Sequence, residues 1–347
     1  MIPFVDQKRP DHAYVQQLLD ESRRTGTWTN FGPVSRRLER IASEMLSLPP
    51  THRVVACASG TAALHALVLM YEYLAGSALR WVVSAFTFAA QGQGALADTI
   101  VLDCDHHGFL DADDLASLPP DSYDGVIVTN LFGTAIHTER YVELARQANK
   151  ILIFDSATCF GSAWSGRPFG ASGAGEAFSF HHTKPCGFGE GGCVALPADL
   201  EDTLRSVINF GAYKGIDTGA RSMNGKMSDV AAAFIIDMLR RCDRVRDEHT
   251  SQYARVATAA RPSGAVPLVS DQGRGWLPSL VPLVFPVIVA PERLDRRMLT
   301  LKKYYTPLMP LPRAQELYEH VVSVPCHGGV ADATDEALRM MFEQMSA

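Results

Sequence analysis

No apolar run in the 347-residue chain reaches the roughly 20 residues that a membrane-spanning helix needs; Gly, Pro or charge interrupts each one first. Basic charge is also scarce. The formal net charge is −6, the sequence pI is about 6.0 and no block of like charges occurs, so the concentrated positive patch that binds nucleic-acid phosphates is missing. The seven cysteines are odd in number, scattered, and contain no C-x-x-C pair. That pattern excludes a zinc finger or a disulfide framework and fits reduced thiols in a cytosolic protein. The opening MIPFVDQKRPDH lacks the basic stretch and apolar core of a secretory signal. The expectation is a cytoplasmic protein with no nucleic-acid, membrane or metal partner. Internal repeats and low-complexity tracts are missing too. What remains, 47% hydrophobic and 20% charged residues, is ample for one large core or two linked ones.

Short apolar runs alternate with amphipathic stretches. Val54–Ala56, Trp81–Val83, Ile100–Asp103, Gly125–Thr129, Ile151–Phe154, Ala177–Phe180 and Cys193–Leu196 read as strands. Thr61–Leu74 and Glu139–Asn149 read as helices between them, which points to an α/β domain with a mainly parallel sheet. After about residue 230 the pattern changes. Val230–Leu239 reads as a long helix running on into a charged face near Arg240–Glu248, and the stretch to Arg246 reads as a connector. Proline-punctuated short β pieces follow, and a last helix spans Asp335–Met345 with Thr334 as its N-cap. The expected division is a large α/β domain over 1–235 and a smaller α+β domain over 236–347.

Four segments carry chemistry. Cys57–Leu64 places small residues and the Ser59 and Thr61 hydroxyls at a helix start, where free N–H groups and the helix dipole favour an anion; an ordinary N-cap explains the same residues. Ile151–Asp155 ends an apolar strand on a carboxylate, at the sheet edge where α/β proteins bind ligands. Phe178–Lys184 sets a lysine 29 residues later, after an apolar strand and before glycines, where burial would lower its pKa and make it nucleophilic. Adjacent His181 and His182 point to opposite faces and do not suit a metal. Gly187, Gly189 and Gly192 match G-x-G-x-x-G, but a strand-like run follows instead of a helix, which rejects a dinucleotide fingerprint. Ser222–Asp229 introduces the long helix, capped by Ser228 or Asp229.

Taken in order, Trp28–Pro33, Ser59–Leu64, Phe86–Phe88, Asn130–Gly133, Asp155–Thr158, Ser179–Lys184, Glu190–Gly192, Asn224–Met227 and Tyr304–Leu308 resemble the motifs of the DegT/DnrJ/StrS family of pyridoxal 5′-phosphate (PLP)-dependent sugar aminotransferases. The resemblance covers nearly the whole chain. It implies the aspartate-aminotransferase-like architecture, fold type I: a three-layer α/β large domain with a smaller C-terminal α+β domain. It further implies that Lys184 forms the Schiff base with PLP and that Asp155 pairs with the ring nitrogen. Phe88 would stack on the ring, and Gly60, Thr61 and Ser179 would hold the phosphate. Thr158 stands where the family places Gln or His against the ring hydroxyl. Asn224 would reach the phosphate site of the partner chain, which makes the active unit a homodimer. Met309 stands where histidine is common, and Ser84 and Ala85 where proline is usual.

The reaction the resemblance implies is a ping-pong transamination. L-glutamate gives its amino group to the cofactor, Lys184 moves the α-proton, and a keto sugar carried on a nucleoside diphosphate leaves as an amino sugar. The alternatives are an aminotransferase acting on a cyclitol or a free keto sugar, and a PLP-binding regulatory protein without turnover. A PLP sugar dehydratase is disfavoured, because that relative has histidine where Lys184 stands.

Overall fold

The computed structural model describes residues 1–270, 273–294 and 298–346. Its N-terminal helices owe their ends to local signals. Helix α1 (His12–Thr25) begins where the Asp11 carboxylate accepts from the Tyr14 N–H at 3.1 Å and ends at Gly26 in the left-handed region. Helix α2 (Pro33–Met45) has Pro at its first position but no side-chain cap of its own. The cap comes from 195 residues away: the buried Asp229 carboxylate accepts from Val34 N at 3.1 Å and Ser35 N at 2.9 Å, and also from the Ser22 hydroxyl at 2.5 Å. Hydrogen bonds to a charged group are worth roughly 1.5–3 kcal/mol each, so this carboxylate is a substantial pin between α1, α2 and the helix that carries it. It also accounts for the glycine before Pro33, since a Cβ on Gly32 would lie 2.4 Å from Asp229 Oδ2.

The central sheet is built from the expected apolar runs. Strand β1 (His52–Cys57) leads through Ser59 into α3 (Gly60–Ala75). Strands β2 (Trp81–Ser84), β3 (Ile100–Leu102), β4 (Gly125–Thr129) and β5 (Ile151–Asp155) follow, with α4 (Ala112–Ser117) and α5 (Thr138–Ala148) between them. A small hairpin of β6 (Ala163–Trp164) and β7 (Arg167–Pro168) precedes β8 (Gly175–Ser179) and β9 (Gly192–Pro197). The seven-stranded order is β1-β9-β8-β5-β4-β2-β3. Strands β3, β2, β4, β5 and β8 are parallel, and β9 lies antiparallel between β8 and β1. Both faces are covered, as parallel strands require. Helix α3 lies on β8 and β9, α2 packs beside β1, and α2 and α1 both pack on α7 (Asp229–Leu239).

Before α7 come the short helix α6 (Glu201–Val207) and a hairpin of β10 (Ala212–Tyr213) and β11 (Ile216–Asp217). The Ser228 hydroxyl caps α7 by accepting from Ala231 N at 3.2 Å. The expected continuous helix through Arg240–Glu248 does not form. The chain breaks at Arg240–Arg241 and restarts as α8 (Cys242–Ala260). The break goes with tertiary packing: the Arg9 carbonyl, from the segment before α1, accepts from Arg241 at 2.7 Å, α7 stays on α1 and α2, and α8 packs against the C-terminal elements. The expected domain boundary at 235/236 therefore falls inside α7 (Asp229–Leu239). Beyond α8, β12 (Val266–Pro267), β13 (Val281–Val284) and β14 (Val321–Val324) form an antiparallel sheet. Helices α9 (Pro312–His320) and α10 (Asp335–Ser346) complete this part, and the Thr334 hydroxyl accepts from Ala337 N at 3.2 Å as expected of a cap. The N-terminus returns to this region, with Ile2 pairing with Leu299 and Phe4 edge-on to Tyr304. Among the described residues no helix is long and apolar enough to cross a membrane.

Candidate active site

The C-terminal ends of β4, β5 and β8 and the N-terminus of α3 open into one cavity of about 630 Å³. Asp155, at the last position of β5, and Lys184, in the loop between β8 and β9, both line it, together with Gly60, Thr61, Phe88, Thr158 and Ser179. Seven of the eight residues singled out from the sequence therefore share one chamber.

Each is placed by its neighbours. Asp155 is buried, with one carboxylate oxygen accepting from Gln91 Nε2 at 2.7 Å and the other from Ala157 N at 3.1 Å. Gln91 is fixed in turn on Thr129 Oγ1 at 2.6 Å, and Thr129 on Thr87. Burial raises the Asp155 pKa; the Gln91 and Ala157 donors and the Lys184 charge oppose that rise. The arrangement is an acid that would be steadied by one more cation in the cavity. Lys184 is its complement: burial lowers its pKa, and the Asp155 charge only partly offsets this. Among the described residues its ammonium makes no hydrogen bond or ion pair, so the amine is free to react.

The Lys184 loop is itself held from outside. Lys8, in the segment before α1, donates all three ammonium protons to loop carbonyls, those of His182 at 2.8 Å, Gly187 at 2.6 Å and Lys184. Burial brings the Lys8 pKa down to about 8. Phe188 N to the Phe180 carbonyl and His182 N to the Gly189 carbonyl close the loop's base.

At the start of α3 the Ser59 hydroxyl accepts from Ala62 N at 3.1 Å, so the N-cap reading of this serine holds. The Gly60 and Thr61 N–H groups have no acceptor among the described residues and face the cavity end of a 16-residue helix. The backbone is crowded there. A Cβ on Gly60 would lie 2.7 Å from Ser179 Cβ, and one on Gly192 would lie 2.5 Å from the Ser59 backbone. Ser179, whose hydroxyl accepts from His181 N at 3.2 Å, keeps its own proton for a ligand. The result is a cradle of N–H and O–H donors suited to an anion. Strand β9 after the glycines confirms that Gly187, Gly189 and Gly192 do not open a dinucleotide-binding helix.

Thr158 and Asn224 stand apart from the others. The Thr158 hydroxyl donates to the Asn130 carbonyl at 3.1 Å and accepts from Gly133 N at 3.0 Å, so it has no proton left to donate to a ligand. Asn224 does not line the cavity of its own chain. It is exposed, and its side-chain oxygen accepts from Lys226 Nζ at 2.8 Å. Met309 is 45% exposed and lies outside the cavity lining. Among the described residues no group of three His, Cys, Asp or Glu could hold a metal ion.

The sequence reading left out most of the remaining cavity wall. Phe4, Ser279, Leu280 and Tyr304 come from the N-terminus and the C-terminal part, and buried Tyr305 stacks on Phe132 at 5.3 Å with Phe88 edge-on at 6.4 Å. Tyr304 and Tyr305 open the Tyr304–Leu308 motif read from the sequence, but only the fold shows that they line the cavity.

A family model described as the DegT/DnrJ/EryC1/StrS aminotransferase family matches residues 11–300. Protein Rv3402c of Mycobacterium tuberculosis is 31% identical over 259 residues, which cover 70% of this chain and 61% of that protein. A GDP-perosamine synthase of Caulobacter vibrioides is 29% identical over 256 residues, covering 71% of this chain and 65% of the synthase. The chain thus spans under two thirds of the length of these curated relatives. Among solved structures, DesI in the presence of its TDP-sugar product superimposes with a TM-score of 0.80 at 25% identity, covering 97% of this chain and 90% of DesI. An aminotransferase from Brucella abortus superimposes with a TM-score of 0.83 at 21% identity, covering 97% and 96%, a likeness of fold.

Proposed function

The chain belongs to the DegT/DnrJ/EryC1/StrS aminotransferase family, and on that premise we propose that it is a PLP-dependent aminotransferase that turns a nucleotide-linked keto sugar into an amino sugar, with L-glutamate as amino donor. The observation that carries the reading is the unpaired, half-buried amine of Lys184 in one cavity with Asp155 and an anion cradle.

The residues fit PLP. The cradle at Gly60, Thr61 and Ser179 matches a phosphate, the Asp155 carboxylate matches a protonated ring nitrogen, and Phe88 offers a ring face at the cavity wall. Thr158 would meet the ring hydroxyl only as an acceptor. When bound, PLP supplies an electron sink for the carbanion left when an amino acid loses its α-proton. The rest falls to the chain. Because burial lowers the Lys184 pKa, its Nζ is neutral at physiological pH more often than that of a solvated lysine, and can accept a proton and return it. Asp155, fixed by Gln91 and the Ala157 N–H, holds a proton on the ring nitrogen facing it. Phe4, Tyr304 and Tyr305 exclude water and form the wall on which a sugar would rest.

Two relatives support the substrate class. One is named GDP-perosamine synthase, and DesI was solved with a TDP-sugar product. The deciding experiment mixes the PLP-loaded protein with glutamate and follows loss of the visible cofactor band. The aminated form is then challenged with keto sugars bearing GDP, dTDP or UDP, with free keto sugars and with cyclitol ketones. Return of the band with a nucleotide-linked sugar alone is the expected result. A band that glutamate and other amino acids leave unchanged would favour a cofactor-binding protein without turnover.

The cytoplasmic homodimer belongs to the same proposal. Asn224 lies outside its own cavity and beside Phe210, which is 67% exposed with Lys226 Nζ 4.3 Å above its ring. An exposed aromatic next to a polar residue suits a two-fold interface in which Asn224 reaches the partner's phosphate cradle. Inactive Lys184→Ala chains mixed with inactive Asn224→Ala chains should then regain activity. One site of each heterodimer would carry both substitutions and the other neither, so up to half of the wild-type activity per heterodimer is expected. Verified heterodimers without rescue would place Asn224 outside the partner's site.

A further inference from the structure

Two of the seven cysteines are unlike the rest. The Sγ atoms of Cys186 and Cys242 lie 2.6 Å apart, although the residues are 56 positions apart in sequence, and both side chains are buried. Cys186 sits two residues beyond Lys184 in the loop that Lys8 holds, and Cys242 is the first residue of the 19-residue helix α8. We propose that Cys186 and Cys242 are a redox modification site, a dithiol that a small peroxide converts to a disulfide joining the Lys184 loop to the first turn of α8.

The surroundings divide the roles. At the start of α8, N–H groups and the helix dipole favour a thiolate on Cys242. Arg246, one turn on, adds positive charge, and its guanidinium is fixed on the Gly161 carbonyl at 2.8 Å and on Asp243. The Cys186 S–H donates to Cys242 Sγ, which lowers the Cys242 pKa and raises that of Cys186. Burial raises the pKa of each of the other five thiols, and none of them is in hydrogen-bond contact with another thiol. A second cavity of about 370 Å³, lined by Lys8, Lys184, Pro185, Met238, Arg241 and Val245, abuts the chain neighbours of both cysteines; neither of their sulfurs lines it, whereas Cys326 does.

The chemistry balances. The Cys242 thiolate attacks one peroxide oxygen and the O–O bond breaks. The leaving hydroxide takes a proton to become water, and Cys242 becomes a sulfenic acid. Cys186 sulfur then attacks Cys242 sulfur, the S–O bond breaks, and hydroxide leaves as water with the Cys186 proton. Two thiols and one hydrogen peroxide give one disulfide and two waters, with two electrons passing from sulfur to peroxide. A dithiol reductant reverses the bond by exchange.

The test uses the full-length protein treated with hydrogen peroxide, then unfolded in acid with an alkylating agent, digested without reductant and mapped by mass spectrometry. The expected result is a cross-linked peptide joining Cys186 to Cys242, loss of two of the seven alkylatable thiols, a higher melting temperature from the closed loop, and reversal of all three by dithiothreitol. In Cys186→Ser, dimedone should label Cys242, which then has no partner. All seven thiols remaining alkylatable, a cross-link between another pair, or Cys242 oxidised to sulfinic acid without a cross-link would overturn the proposal. None of these readouts depends on the aminotransferase reading, so either can fail alone.

Discussion

Lys184→Ala should abolish turnover and, in the same protein, the covalent capture of PLP by borohydride. Lys184 supplies the only unpaired amine described in the main cavity, and its depressed pKa is what lets it exchange a proton at neutral pH. A positioned proton donor and acceptor is worth roughly 10²–10⁴-fold in rate. The glutamate half-reaction should therefore slow by at least that factor, while the cradle at Gly60, Thr61 and Ser179 still lets the variant bind cofactor non-covalently. In the wild type, borohydride reduction and peptide mapping should find the cofactor on Lys184. Label on any other lysine, Lys8 included, would remove the assignment. Lys8 is the useful internal comparison, because its ammonium is already spent on three loop carbonyls.

Asp155→Asn should separate binding from chemistry. The variant keeps a side chain of the same shape between Gln91 and the Ala157 N–H but loses the charge. Capture of PLP by borohydride should persist, since Lys184 is untouched. The glutamate half-reaction should fall by roughly 10- to 150-fold from the lost charge-assisted hydrogen bond alone, worth about 1.5–3 kcal/mol. Loss of ring-nitrogen protonation adds to that fall. Stopped-flow measurement of the visible band gives the rate directly, and a rate within twofold of wild type would show that Asp155 does not hold the ring proton. The raised Asp155 pKa gives the sign of a related effect. Burial disfavours the carboxylate in the unloaded protein, and a cation bound against it restores the charge, so cofactor binding should strengthen as the pH rises through the Asp155 titration.

Much of the site was legible because it is built from local patterns. The apolar run ending in Asp155 had to be a buried strand, since its five residues have no polar face, and a strand-end carboxylate in a parallel sheet faces the ligand edge. Ser59 followed by small residues and an apolar helix announced the cap and left an anion site as the alternative. The strand after Gly192 separated this glycine-rich loop from a dinucleotide site. Thr158 was read by its place in a motif, but its hydroxyl is committed to the Asn130 carbonyl and the Gly133 N–H, partners 28 and 25 residues away. A motif position does not say where a hydroxyl's hydrogen bonds go.

By itself, then, the sequence determined the kind of protein: an α/β chain with a lysine after one strand, an acid at the end of another and small residues at a helix start, because periodicity, caps and turn residues act over a few positions. Only the tertiary structure decided what meets across long separations. It broke the predicted helix at Arg240–Arg241, where the Arg9 carbonyl from the N-terminal segment holds Arg241. It folded Phe4 against Tyr304 to close the cavity, set Lys8 on the Lys184 loop, capped α2 with Asp229 from 195 residues away and brought Cys186 to Cys242. Such contacts arise when apolar faces bury one another, and burial has no fixed sequence spacing.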